Sequence, residues 1–323
     1  MVTRKGKRTP IQRAPLSSAT LDWPPYGHMN AGFMHDVWTR RVPLNFRVNG
    51  VPTDENGFAR WVESLVGHMA EFLWPRYVHG ATPHWNGAAA LTAKDLTIAD
   101  FELLKTLRAK LVETPVGRDK SLTQTHKALF FSEDLKPWPT YASYETALTP
   151  ELLTKMQEAM VKTNFNFGPA PLRFKALQQR PRPYQMALLL GIRDFAYEWA
   201  QSAVTPSIVS GHSLQGLLAG AGAYTTHMLE LAKVASAPQH LQQWAVDVGD
   251  RRVFAGVHYP SDNLASWYVA LHMCDNYVYG ELGQEAKHFL WQAISKRSLV
   301  FEAMVQHGGI YDAPLAELRK LAP

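Results

Sequence analysis

Apolar residues recur at every third or fourth position along most of the chain, which is the spacing of one face of an α-helix. The first clear run begins at Phe58 and continues through Trp61, Leu65, Met69 and Phe72. The same spacing predicts further helices over 98–111, 150–160, 184–202, 212–234, 238–248, 262–282, 284–296 and 313–321. Alternation of apolar and polar positions, which is typical of half-buried strands, is scarce. The pattern therefore predicts an all-α fold.

The N-terminal part of the chain lacks this periodicity. Residues 1–18 are basic and are predicted to form a flexible arm. Residues 19–56 are rich in Pro, Gly and Trp and are predicted to wrap the surface as ordered loops. Because neither a repeat nor a linker divides residues 19–323, we expect a single helical domain there.

Composition narrows the class of protein. With 46% apolar and 19% charged residues, the chain is expected to be globular. Its single cysteine, Cys274, excludes a disulfide framework and a cysteine-based zinc site. No apolar run reaches the roughly 18–20 residues of a membrane-spanning helix. The nearest candidate, residues 213–229, is diluted by polar and small residues and is predicted to be a core helix.

The net charge of +5 comes from the N-terminal tail, because the rest of the chain carries equal numbers of basic and acidic residues. The basic residues are not interleaved with aromatic ones, so no nucleic-acid partner is expected. Pro10 and Pro15 stand where a secretory signal would be apolar. We therefore expect a cytoplasmic protein.

Three cations lie within eight positions near the middle of the chain, in a segment that runs from Lys175 to Arg182. Pro181 and Pro183 interrupt any helix, so Arg180 and Arg182 are predicted to lie on a stiff extended turn. Such a turn can bind phosphate, because arginine presents a rigid fork of donors and lysine a point charge. Taken alone, the segment is more typical of a solvated basic surface loop.

Ser210, Gly211 and His212 stand where the small-residue helix is predicted to begin. The serine hydroxyl and the free N–H groups of a helix N-terminus make a cradle for an anion, and His212 would face its occupant. The alternative is that Ser210 merely caps the helix beside an incidental histidine.

Arg252, His258 and Asp262 form the third group. If Pro260 and Ser261 open a helix, Asp262 lies one turn from His258 and can accept a hydrogen bond from its ring. A carboxylate behind an imidazole fixes the tautomer and strengthens the ring as a nucleophile. The alternative is that Asp262 caps the helix beside a core histidine.

In this order, the three motifs resemble those of the superfamily formed by type 2 phosphatidic acid phosphatases, bacterial non-specific acid phosphatases and vanadium haloperoxidases. The shared pattern is Lys, six residues, Arg-Pro; then Pro-Ser-Gly-His; then Ser-Arg, five residues, His, three residues, Asp. Val209 and Arg251 stand where the pattern has Pro and Ser. The matching residues are Lys175, Arg182, Pro183, Ser210, Gly211, His212, Arg252, His258 and Asp262.

The resemblance implies a helical bundle of the acid phosphatase and vanadium haloperoxidase type, with its motif core over 175–262. It implies a phosphatase in which His258 attacks phosphorus, Asp262 orients His258, and His212 serves as acid and base. The expected partner is a small phosphate ester, and no metal or cofactor is required. The implied phosphate-binding residues are Lys175, Arg182, Ser210, Gly211 and Arg252.

The same residues suit a vanadium haloperoxidase, in which vanadate replaces phosphate and His258 is its protein ligand. The chain is shorter than such enzymes commonly are, so the phosphatase is the preferred hypothesis. A catalytically silent anion-binding relative is less favoured. A serine esterase is disfavoured because Gly211-His-Ser-Leu-Gln215 lacks the last glycine of a nucleophile elbow. No His-Glu-x-x-His pair supports zinc hydrolysis.

Overall fold

The computed structural model describes residues 46–48, 51–74, 93–118, 122–134, 136–167, 170–276 and 278–323. The predicted basic arm, residues 1–18, lies outside the described residues. So does most of the predicted N-terminal wrap, namely residues 19–45, 49 and 50. The arm and that part of the wrap stay predictions.

Helices dominate the described part of the chain, which confirms the all-α prediction. A short antiparallel hairpin precedes them, in which β1 (Arg47–Val48) pairs with β2 (Val51–Pro52). Short 3₁₀ helices lie at Trp138–Ser143, Gln201–Val204, Gly280–Leu282 and Gly309–Tyr311. The α-helices are α1 (Glu55–Phe72), α2 (Ala93–Arg108), α3 (Lys110–Glu113), α4 (His126–Ser132), α5 (Pro150–Phe167), α6 (Ala170–Gln178), α7 (Pro183–Leu189), α8 (Gly211–Thr226), α9 (Met228–Leu231), α10 (Ala237–Phe254), α11 (Pro260–Asp275), α12 (Gly283–Arg297), α13 (Leu299–His307) and α14 (Asp312–Arg319).

The first helix shows how the sequence pattern produces these elements. Asp54 caps α1, because its carboxylate accepts a hydrogen bond from the Gly57 N–H at 2.7 Å. The periodic apolar positions face the core, where Phe58, Trp61 and Leu65 are buried.

Helix α8 lies at the centre of the bundle and packs against α5, α10, α11 and α12. Small residues let it approach α10 closely. A Cβ added at Gly216 would lie 2.5 Å from the Ala245 carbonyl oxygen, and one at Gly249 would lie 2.6 Å from the Ser213 Cβ. The prediction of a small-residue core helix is therefore confirmed. None of the helices in the described ranges is both long and apolar enough to cross a membrane.

The helix predicted over 184–202 is wrong beyond its first third. Helix α7 ends at Leu189, and Gly191 adopts a left-handed φ of 69°, which glycine tolerates without strain. The chain that follows forms hydrogen bonds with a different segment, since the Glu198 N–H donates to the Ala255 carbonyl at 2.8 Å. Tertiary hydrogen bonding thus replaces the helical pattern there.

Other predicted helices differ at their ends. The helix predicted over 212–234 is interrupted at His227, between α8 and α9, and the one over 262–282 ends at Asp275. The helix predicted over 150–160 continues to Phe167. The periodicity also missed α4, α6 and α13, because helices of 7, 9 and 9 residues contain too few repeats for a clear pattern.

Candidate active site

The structure brings the three sequence motifs together. Arg182 of the first motif contacts His258 of the third, with Nη1 2.8 Å from Nε2, and the Ser210 N–H of the second motif donates to the Asp262 carbonyl at 3.4 Å. The seven side chains concerned lie at or beside the ends of α6, α7, α8, α10 and α11, and all are buried: Lys175, Arg182, Ser210, His212, Arg252, His258 and Asp262.

His258 and Asp262 form a hydrogen-bonded pair. Helix α11 begins at Pro260, so Asp262 lies one turn beyond His258 and its Oδ2 is 3.0 Å from Nδ1. On the other side of the ring, Arg182 Nη1 lies 2.8 Å from Nε2. A guanidinium can only donate, so Nε2 accepts and holds the lone pair while Nδ1 holds the proton. Burial, Arg182 and Lys175 lower the pKa of His258 well below its ordinary value, which keeps that lone pair available at neutral pH.

Several donors hold the Asp262 carboxylate. Besides His258, it accepts from the Ser207 hydroxyl, from the Tyr259 N–H at 2.9 Å and from Arg180 Nη1 at 2.9 Å. Burial alone favours the neutral acid. The Arg180 charge and the hydrogen bonds from His258 and Ser207 nevertheless hold the pKa of Asp262 below its usual value. The carboxylate stays ionised and fixes the imidazole ring.

Arg180 is fully buried, so the interpretation of its segment as a solvated loop is wrong. Its guanidinium bridges Asp262 and Asp100, with Nη2 2.7 Å from the Asp100 Oδ2. It also lies 4.5 Å from the ring centre of Trp74 and 3.8 Å from that of Tyr259. The two acids come from α2 and α11, which explains why the sequence around Arg180 showed no partner.

The other two cations of the first motif are held by backbone carbonyls around the site. Lys175 Nζ donates to the Ser207 carbonyl at 3.0 Å. Arg182, which lies on the non-helical turn that the prolines predicted, donates to the carbonyls of Thr205 at 2.6 Å and Val257 at 2.7 Å. These contacts fix the direction of both side chains before any ligand binds.

Ser210 caps α8 as predicted, since its Oγ accepts from the Ser213 N–H at 3.3 Å. Gly211 is the first residue of the helix, where backbone N–H groups have no acceptor within the helix. The N-terminus of α8 therefore presents donors next to the cationic cluster, which is formed by Lys175, Arg182 and Arg252.

His212 lies in the first turn of α8. Its Nε2 is 3.1 Å from the Glu133 carbonyl oxygen and 3.2 Å from that of Asp134. Carbonyl oxygens only accept, so Nε2 holds the proton and Nδ1 is the nitrogen that can exchange one. Burial and the charges of Arg252 and His258 lower the pKa of His212 well below its ordinary value, while the two carbonyls oppose that shift.

Arg252 completes the cluster. Its Nη1 lies 3.3 Å from Asp134 Oδ1, and its Nη2 donates to the Phe130 carbonyl at 3.2 Å. Its Nε is buried without a hydrogen-bond partner among the residues that the structure describes. Burial lowers the pKa of Arg252 to about 10, against the opposing charges of Glu133 and Asp134, so the guanidinium stays positive at neutral pH. A buried N–H without an acceptor is costly, and an oxyanion placed here would supply one.

Sequence reasoning missed the turn that follows α4, formed by Glu133 and Asp134. The Asp134 carboxylate contacts Arg252 and also accepts from the Ser202 hydroxyl at 2.6 Å. Glu133 is fully buried and forms an ion pair with Arg251, whose Nε lies 2.7 Å from Oε2. The signal in the sequence is that the acidic dipeptide Glu133-Asp134 is complementary in charge to the basic dipeptide Arg251-Arg252. Because the two dipeptides are far apart along the chain, no local spacing connects them.

The two departures from the family pattern are both buried. Val209 is part of the apolar core just before α8. Arg251 is paired with Glu133. Neither side chain replaces a member of the cationic cluster.

Residues 160–279 match the model of the PAP2 superfamily. This match supports membership of the PAP2 superfamily. The matched segment contains all three motifs, from Lys175 to Asp262, and PAP2 membership supports a phosphatase-like function at the level of the superfamily. No curated protein and no solved structure matches the chain. The roles of the individual site residues stay predictions.

Proposed function

We propose that this PAP2 protein hydrolyses phosphate esters through a phosphohistidine intermediate on His258. The proposal depends on one observation, the environment of the His258 ring. Its Nδ1 is 3.0 Å from the buried Asp262 carboxylate, and its Nε2 lone pair lies 2.8 Å from the Arg182 guanidinium. An imidazole that is polarised from behind and open towards a cation is suited to attack phosphorus.

In the first step, Arg182 exchanges its contact with Nε2 for a phosphoryl oxygen of the ester, which frees the lone pair. Nε2 then attacks phosphorus in line with the leaving group. The phosphorus–nitrogen bond forms as the bond to the ester oxygen breaks. An ester that binds as its monoanion first gives its phosphate proton to His212 Nδ1, and His212 passes this proton to the ester oxygen, so the alcohol leaves neutral.

In the second step, water attacks the phosphohistidine. His212, now neutral, accepts a proton from the water at Nδ1 as the oxygen–phosphorus bond forms. The phosphorus–nitrogen bond breaks, and its electron pair returns to His258 Nε2. The departing phosphate takes the proton from His212 Nδ1 and leaves as its monoanion, so both histidines regain their starting neutral states.

The cationic cluster supplies the electrostatic stabilisation that such a reaction requires. Lys175, Arg182 and Arg252 are buried, so each interacts with an anion more strongly than it would in water. The unpartnered Arg252 Nε and the N–H groups at the start of α8 supply further hydrogen-bond donors for the phosphoryl oxygen atoms. The same donor set fits vanadate, for which His258 Nε2 would be the protein ligand. Bound vanadate would supply the peroxide-activating chemistry of the haloperoxidases.

Asp134 opposes anion binding in this arrangement, because its carboxylate lies against Arg252. We expect Asp134→Asn to tighten the binding of vanadate by about tenfold, ~1.4 kcal/mol, because it removes a negative charge beside the anion. Thermal-shift titrations with vanadate measure the change, with sulfate at equal ionic strength as the reference. Weaker vanadate binding in the variant would contradict this placement of Asp134.

His212 is proposed to protonate the leaving oxygen, so its importance depends on the leaving group. We expect His212→Ala to lower kcat by about 100-fold or more on alkyl phosphates, whose alkoxides are poor leaving groups. On an aryl phosphate such as p-nitrophenyl phosphate, the loss is smaller because the leaving oxygen needs little protonation. Steady-state rates over a leaving-group series provide the measurement. An equal loss across the series would exclude His212 as the acid.

The activity itself is tested by a paired assay on one purified sample. Release of phosphate from a panel of phosphomonoesters is measured without added vanadate, and bromination by peroxide is measured after incubation with vanadate. Phosphate release without bromination supports the phosphatase. Bromination without phosphate release would assign the chain to haloperoxidase chemistry.

A further inference from the structure

Two adjacent acids and two adjacent arginines meet beside His212. Glu133 pairs with Arg251, and Asp134 pairs with Arg252. The two ion pairs lie in different surroundings. The side chains of Glu133 and Arg251 are 0% exposed, whereas Asp134 is 18% exposed and borders the anion-binding cluster. The Glu133–Arg251 pair, called the inner pair below, is therefore adjacent to the anion-binding cluster and not part of it.

The inner pair is held from several directions. Both Glu133 carboxylate oxygens contact the Arg251 guanidinium, one of them 2.7 Å from Nε. The Thr140 hydroxyl donates to Glu133 Oε1 at 2.9 Å. Arg251 also donates to the Tyr144 hydroxyl, which donates to Asp247 at 2.9 Å. Because separating such a buried pair would leave uncompensated charges in the interior, the turn that carries Glu133 is fixed in place.

The backbone of that same turn holds the His212 ring. The carbonyl oxygens of Glu133 and Asp134 both lie within 3.2 Å of Nε2. They keep the proton on Nε2 and direct Nδ1 to proton exchange. The other charged or titratable groups whose charges reach His212 are Arg252 and His258. Neither can replace a carbonyl as the acceptor, because Arg252 is a donor and the His258 Nε2 accepts from Arg182.

We propose that Arg251 is a positioning residue for His212 and acts through Glu133. The buried ion pair fixes the turn, and the carbonyls of the turn fix the tautomer and orientation of the ring. This inference rests on the proposed function, in which His212 exchanges a proton with the substrate. It also gives a physical reason for an arginine at a position where the family pattern has serine.

The proposal is tested with two variants and a matched control. Glu133→Gln keeps the side-chain volume and an acceptor for Thr140 but removes the charge that Arg251 pairs with. The double variant Glu133→Leu/Arg251→Met replaces the ion pair by apolar packing, which buried pairs often tolerate without loss of stability. Asp250→Asn is the control, since Asp250 is a buried carboxylate next to Arg251 that faces Ser298 instead, at 2.9 Å.

The first readout is the ¹⁵N spectrum of the histidine rings in the full-length protein, with His212 assigned by comparison with His212→Gln. We expect the wild type and Asp250→Asn to show the Nε2–H tautomer at His212. Glu133→Gln and the double variant should show an increased share of the Nδ1–H tautomer. An unchanged tautomer in both variants would overturn the proposal.

The second readout is the ratio of kcat on an alkyl phosphate to kcat on p-nitrophenyl phosphate. We expect this ratio to fall by about tenfold or more in Glu133→Gln and to stay constant in Asp250→Asn. An equal loss on both esters would mean that the pair acts on stability alone, which also overturns the proposal. If the wild type hydrolyses neither ester, the proposed function fails while the tautomer measurement still decides the role of Arg251.

Discussion

Replacing His258 with alanine is expected to lower phosphate-ester hydrolysis by about a thousandfold or more, because the change removes the only nitrogen lone pair that the proposed mechanism directs at phosphorus. The fold should survive. Without the imidazole, the Asp262 carboxylate keeps its contacts with Arg180, Ser207 and the Tyr259 N–H. Initial rates on p-nitrophenyl phosphate and melting temperatures measure the two effects separately.

A second histidine provides the control for this experiment. His240 lies at the start of α10, 3.0 Å from Glu145, and belongs to neither the cationic cluster nor the turn after α4. His240→Ala should retain the wild-type rate within about threefold, since the loss of a partly exposed pair of this kind is a small perturbation. A His258→Ala enzyme as active as His240→Ala would remove His258 from the mechanism.

Replacing Arg180 with methionine is expected to lower the free energy of unfolding by about 3–5 kcal/mol, because Asp100 and Asp262 would stay buried without their shared cation. Denaturant unfolding at neutral pH measures the change. Arg118→Met is the matched control. The Arg118 ion pair with Glu302 is 40% and 45% exposed, so its loss should cost less than about 1 kcal/mol.

The loss in free energy of unfolding caused by Arg180→Met should depend on pH. Without the cation, the pKa values of Asp100 and Asp262 in the folded protein rise. A carboxyl with a raised folded-state pKa binds protons more readily in the folded than in the unfolded chain. The variant should therefore gain stability relative to wild type as pH falls from about 8 to about 5. If the loss in free energy of unfolding stayed constant over this pH range, it would contradict the pairing of Arg180 with Asp100 and Asp262.

Hydrophobic spacing predicted the helical fold because most helices of this bundle bury one face or stripe. Hydrophobic spacing failed where hydrogen bonds between distant segments determine the backbone conformation. The segment after Leu189 has apolar residues at helical spacing, yet Glu198 bonds to Ala255 and the chain forms a loop. The end of a helix at Gly191 was visible in principle, since a glycine at that position permits the left-handed turn.

In the candidate active site, too, local contacts could be predicted from the sequence and long-range contacts could not. His258 and Asp262 are one helical turn apart, so local spacing was enough to predict their hydrogen bond. Arg180 was misjudged because its partners Asp100 and Asp262 are 80 and 82 positions away. The turn containing Glu133 was missed for the same reason. Contacts between distant segments depend on how the helices pack, which a single sequence does not reveal.

In the proposed reaction, the phosphoryl group is carried by His258. The most direct measurement is a rapid-quench experiment under single-turnover conditions with a labelled phosphate ester, stopped in alkali because phosphohistidine is stable there. The quenched protein is then digested and the labelled residue is identified by mass spectrometry. We expect transient label on His258 that rises before inorganic phosphate appears, and none in His258→Ala. Release of phosphate by the wild type with no label on His258 at any time would contradict the proposed reaction.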